Sequence, residues 1–172
     1  MTKNKGFTYY ELLIVVSIMA LMVGFTTISL GAFYRNNVYR YADNIETAVK
    51  AARNNAVTKG TSQGWVNFYY SNKTLYAYVG DKISPSNPRD FSTQNWQKVA
   101  KNCNEVVVDG VHMGDGTSVS FNFKQSTGEF LGLDWTMSAA PGLHHNATYI
   151  RVESGSNSAR VNVDLFGTIK IE

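Results

Sequence analysis

The chain has a single cysteine, Cys103, so no intrachain disulfide can staple it, and stability must come from buried surface and from assembly. It carries no glycine-rich phosphate loop, nucleophile elbow or zinc-protease signature, so no familiar catalytic constellation is written in it. Cys103 lies between Asn102 and Asn104, with no neighbour that would activate its thiol. His112, His144 and His145 do not make a metal site, because adjacent residues on an extended chain point to opposite sides and no second ligand pair has useful spacing. No cofactor and no metal are expected. A formal net charge of +3 is too small to mark the whole chain as a nucleic-acid surface. At 172 residues and 19.1 kDa there is room for one domain plus a further segment, and none for a second enzyme-sized domain.

Charge is missing again from Leu12 to Phe33, a run long enough at about 1.5 Å per residue to span a bilayer as a helix. Glu11 stands at its edge. A carboxylate beside hydrocarbon costs roughly 3 kcal/mol or more without a partner, so its presence there points to function. A cut after Gly6 would supply the partner, a new amino terminus at Phe7, four residues from Glu11. Lys3 and Lys5 would hold the short leader on the cytoplasmic side, and their loss would lower the net charge from +3 to +1. A secretory signal peptide ending near Ser29-Leu30-Gly31-Ala32, or an uncleaved anchor, is the plain alternative. Both leave Glu11 unexplained.

Apolar residues then recur at Tyr34, Val38, Tyr41, Ala42, Ile45, Ala48, Val49, Ala52 and Ala56, the spacing of one buried helical stripe. The helix should stop near Lys59, where Gly60 offers a left-handed terminator. Gly24-Phe25-Thr26-Thr27-Ile28-Ser29 is where such a rod could loosen. Beyond Gly60, short runs rich in Val, Tyr, Phe and Thr read as antiparallel strands. The clearest hairpin pairs 65–70 with 74–79 across Ser71-Asn72-Lys73. Further strands are expected at 97–99, 105–111, 118–123, 148–153, 159–165 and 168–171, the last two joined through Phe166-Gly167. The pattern gives a helix packed on a β-sandwich or pair of sheets. Two loops remain, 81–95 and 134–146. The second holds Trp135, Met137 and Leu143, side chains of the kind that make protein contacts, although Trp135 could equally close the core.

The segment Lys5-Gly6-Phe7-Thr8-Tyr9-Tyr10-Glu11-Leu12-Leu13 resembles the prepilin-peptidase site of type IV pilins and type II secretion pseudopilins. Ala51-Ala52-Arg53-Asn54-Asn55-Ala56-Val57, with the segments 118–123 and 160–167, is similar to the GspH/FimT group of minor pilins and pseudopilins; residues 81–104 match nothing in it. The resemblance implies an α+β, pilin-like fold in which a long N-terminal helix, a membrane half plus an amphipathic half, packs on a C-terminal antiparallel β-sandwich. It divides the chain into a leader (1–6), a transmembrane or filament-core helix (7–33), the amphipathic half of that helix (34–60) and a β-rich head (61–172). Implied too are cleavage between Gly6 and Phe7 by prepilin peptidase, N-methylation of Phe7, and a role for Glu11 in neutralising an amine during assembly. The proline often found within the rod of such proteins is absent here. The expected role is a non-enzymatic subunit of the initiating or tip complex of a type IV pilus or type II secretion pseudopilus. Its partners would be other pilins or pseudopilins. The expected placement is a single pass of the bacterial inner membrane with a periplasmic head. The alternative is a FimT-like tip subunit that binds DNA through Arg151, Arg160 and Lys170; an enzyme on a membrane stalk is the remaining class.

Overall fold

The computed structural model describes residues 8–83, 95–135 and 148–172, and of residues 26–34 the backbone alone. A single helix, α1, runs from Tyr9 to Lys59, 51 residues. It starts at Thr8 because two orphan donors are satisfied there. The Thr8 hydroxyl accepts from the Glu11 N–H at 3.3 Å, and the Glu11 carboxylate accepts from the Thr8 N–H at 2.8 Å, a reciprocal capping box. It stops at Gly60, which takes φ 105° and still donates its N–H to the Ala56 carbonyl at 3.2 Å. A 3-10 turn, Thr61–Gln63, follows.

Ten strands come next: β1 (Trp65–Ser71), β2 (Thr74–Gly80), β3 (Gln97–Lys101), β4 (Glu105–Val108), β5 (Val111–His112), β6 (Thr117–Phe123), β7 (Phe130–Trp135), β8 (Thr148–Ser154), β9 (Asn157–Val163) and β10 (Ile169–Ile171). They form two five-stranded sheets, ordered β3-β2-β1-β6-β7 and β10-β9-β8-β4-β5, with antiparallel pairing throughout. The β1–β2 turn is Asn72-Lys73, both left-handed at φ 49° and 56°, the twist a two-residue hairpin requires. The strand expected over 105–111 is instead a hairpin. Asp109 and Gly110, at φ 50° and 81°, fold β5 back on β4. Strand β7 lies where no strand was expected.

The expected fold class needs correction. The described residues contain two helical elements against ten strands, and no helix among them is long and apolar enough to cross a membrane. The physical reason lies in the described side chains at the start of α1. There Ser17 and Gly24 interrupt the apolar residues between Leu12 and Phe25. The described residues thus display no membrane half of the rod, and the expected single pass of the inner membrane is not supported.

The second half of α1 is the centre of the head. Val38, Ala42, Ile45, Val49, Ala52 and Ala56 are buried, and the helix packs on β1, β2, β3 and β6 of one sheet and on β8, β9 and β10 of the other. Phe68 and Phe123, the first on β1 and the second on β6, bracket an edge-to-face cluster: Phe121 lies 5.5 Å from Phe68 and 5.7 Å from Phe130, and Phe130 lies 5.9 Å from Phe123. Asn67, buried among them in sequence but facing outward, is held by the Ser120 hydroxyl, which donates to its Oδ1 at 2.6 Å, and by its own Nδ2, which donates to the Asp81 carbonyl at 3.1 Å.

Gly64 is where the chain passes closest to the helix. A Cβ there would stand 2.5 Å from the Ala56 Cβ and 3.0 Å from the Phe123 carbonyl oxygen. Backbone lies on both sides, so the clash has no flexible end to absorb it. Gly64→Ala should lower the unfolding free energy by about 1–3 kcal/mol, the usual cost of overpacking, read from the urea midpoint of the purified chain.

Candidate functional site

Three surfaces carry the chemistry. The first is the start of α1, where every large apolar side chain from Tyr9 to Phe25 is exposed, from 42% at Val15 to 78% at Tyr10. These residues lie all round the helix, and a helix that is apolar on every side is one that something else encloses. Glu11 sits at the head of this stretch, engaged with Thr8: besides the two capping bonds, the Thr8 hydroxyl donates to its Oε2 at 2.8 Å. These hydrogen bonds hold the carboxyl below its ordinary range. Gly6 and Phe7 lie outside the described residues.

The second surface is the outer face of the β10-β9-β8-β4-β5 sheet. Arg151 on β8 stands opposite Arg160 on β9, and Lys170 on β10 stands opposite Asn162, so the three cations singled out for nucleic acid share one face. They do not make a uniform positive field. Arg151 pairs with Glu153 at 3.0 Å and reaches Glu105 at 4.0 Å, and Glu105 also pairs with His112. Arg160 lies over the Tyr149 ring, 3.7 Å from its centroid, and donates from Nε to the Asn162 Oδ1 at 2.6 Å.

The third surface, unread in the sequence, is the outer face of the other sheet. Tyr69 on β1 stands opposite Tyr76 on β2, with ring centroids 6.5 Å apart. Trp96, just before β3, lies 6.3 Å from Tyr69 and 5.7 Å from Tyr78. Alternate placement of aromatic residues in Trp65-Val66-Asn67-Phe68-Tyr69 and Tyr76-Ala77-Tyr78 was the available signal, since positions two apart in a strand share a face. Farther along the same face Lys82 lies over the Trp65 ring at 5.2 Å and pairs with Asp134, beside a cavity of about 80 Å³.

The proposed contact residues separate. Trp135 ends β7 opposite Val119 and packs half-buried against the core, whereas Met137 and Leu143 lie outside the described residues. His144 and His145 lie outside them too. Among the described residues no group of three or more His, Cys, Asp and Glu side chains could hold a metal ion. A polar cleft of about 500 Å³ opens between α1 at Asn37 and Tyr41 and the turns carrying Lys73, Asn102 and Gly155. Comparison with protein-family models, with curated proteins and with solved structures finds no match.

Cys103 is fully buried beneath this cleft's rim, and burial pushes its thiol up to about 11. At pH 8 the folded protein should therefore resist iodoacetamide, with one equivalent incorporated only after denaturation. Rapid alkylation of the native chain, followed by mass, would show that the thiol is exposed.

Proposed function

We propose that the chain is a structural subunit of the initiating or tip complex of a type IV pilus or type II secretion pseudopilus, and that it does its work by assembly and not by catalysis. The observation that carries this reading is the exposed apolar start of α1. Burying each large side chain there is worth about 1.5–3 kcal/mol, and nothing among the described residues covers it. Helices of neighbouring subunits packed side by side would enclose it on all sides. The resemblance of the segment from Lys5 to Leu13 to a prepilin-peptidase site supports the same role and names the enzyme that would release the subunit.

In such a bundle Glu11 becomes the group that sets register. Its carboxylate is held charged by Thr8, and a charge enclosed among apolar helices is far worse unpaired than paired. An amine at Phe7, its own or a neighbour's, is the partner the processing would create. The reading as a DNA-binding tip subunit through Arg151, Arg160 and Lys170 is less favoured, because Glu105 and Glu153 offset the charge that phosphates would need.

Two measurements test the proposal. Intact mass of the chain expressed with its peptidase should show loss of residues 1–6 and one added methyl group; an unprocessed Met1 terminus would overturn it. Glu11→Ala should be processed normally yet be depleted at least several-fold from sheared fibres by immunoblot, and undiminished incorporation would remove the register role.

A further inference from the structure

Between β3 and β4 the chain crosses from one sheet to the other, and the polar cleft of about 500 Å³ opens beside that crossing. Its size lies within the roughly 300–1,000 Å³ of small-ligand sites. Its walls are fixed by groups that are already engaged. The Cys103 N–H donates to the Lys73 carbonyl at 3.0 Å and the Asn104 N–H to the Glu153 carbonyl at 2.8 Å, so the crossing is tied to both sheets. The Tyr41 hydroxyl donates to the Lys101 carbonyl at 2.6 Å, which ties the helix to the same segment, and the Asn104 Nδ2 donates to the Gly155 carbonyl at 3.3 Å. Three other side chains that line the cleft, the Asn37 and Asn102 carboxamides and the Lys73 ammonium, have no hydrogen-bond or ion-pair partner among the described residues. Among the described residues no Asp or Glu lines it. Lys73 and Asn102 also hold left-handed backbones, at φ 56° and 54°. Glycine would take either conformation without strain, and the second position of a two-residue hairpin, where Lys73 stands, is its favoured place. At both positions the chain instead carries a side chain that the fold does not use.

We propose that this cleft binds an acidic saccharide and seats one uronate residue of it, with Lys73 taking the carboxylate and the Asn37 and Asn102 carboxamides taking ring hydroxyls. A carboxamide presents donor and acceptor side by side, so one such group satisfies two neighbouring hydroxyls at once. One ammonium with no carboxylate beside it matches one negative charge. A phosphate monoester brings nearly two and would leave part of its charge unmatched. An apolar ligand would strip water from these groups and leave them unpaired. Because α1 and both sheets already hold the walls, little order has to be acquired on binding. This inference is independent of assembly through the start of α1.

The test is isothermal titration calorimetry of the full chain, in zwitterionic detergent, with a linear trimer of galacturonic acid, the neutral galactose trimer and acetate. The acidic trimer should bind at least roughly tenfold more tightly than the neutral one, and less tightly as salt rises. Lys73→Gly should bring the acidic trimer down to the level of the neutral one. Asn102→Gly and Asn37→Ala should each weaken the acidic trimer several-fold at every salt concentration. These variants leave the fold intact, because glycine accepts the left-handed backbone at 73 and 102 and alanine favours the helix at 37, and an unchanged melting temperature checks this. Lys98→Ala, at an exposed lysine of β3 outside the cleft, should leave binding unchanged. The proposal is overturned if the acidic trimer does not bind, if the neutral trimer or acetate binds as well, or if the folded Lys73→Gly chain or both asparagine variants bind as the parent does. It is overturned equally if Lys98→Ala costs as much as Lys73→Gly, which would reduce the effect to overall charge.

Discussion

One helix face has to satisfy two sheets at once, and most of the fold follows from that. Ala42, Ala48, Ala52 and Ala56 alternate with Val38, Ile45 and Val49 along the buried side of α1. The small residues let strands approach closely; the branched ones fill the gaps left between them. The closest approach, Gly64 against Ala56, occurs where the chain leaves the helix and enters β1, so the first strand is laid down against the helix end that precedes it. From there the order β3-β2-β1-β6-β7 grows outward on both sides of β1. The second sheet reaches the same helix through β8, β9 and β10, which come late in the chain. Neither sheet has a covered inner face without α1.

Much of this was legible in sequence where the determinants are local. The spacing from Val38 to Ala56 marks the buried stripe, and Asn72 marks the β1–β2 turn because it tolerates a left-handed backbone. The Asp109-Gly110 turn carried an equally strong signal, masked by the valine-rich run around it, which reads as one uninterrupted strand. Strand β7 was illegible for a different reason. Gly132, at φ 144°, interrupts its apolar pattern, and its pairing with β6 depends on a partner outside its own segment. The uncharged run from Leu12 onward reads as a span, whereas among the described residues no helix is long and apolar enough to cross a membrane.

The candidate surfaces divide along the same line. Thr8 and Glu11, three apart, spell a capping box, so the carboxylate has a partner next to it in sequence as well as the amine that processing would create. Whether Arg151 is free or neutralised cannot be read from its own segment, since Glu105 arrives from another strand through the β4–β8 register. Lys98 and Lys101 share a face only because of one unpaired residue, Val99. Registers and bulges are settled by tertiary packing, and they decide which charges meet.

The continuity of α1 has a mechanical consequence. At about 1.5 Å per residue its 51 residues extend for roughly 75 Å without a chain break, from the capped end at Thr8 to Gly60 under both sheets. A pull applied at the Tyr9 end is directed along the axis and meets the head as shear spread over the whole row from Val38 to Ala56. Such a load strains many side-chain contacts together. It cannot peel strands away one at a time, as a force applied at the short terminal strand β10 would. The head is thus anchored to its helix in the direction in which contacts of this kind are hardest to break.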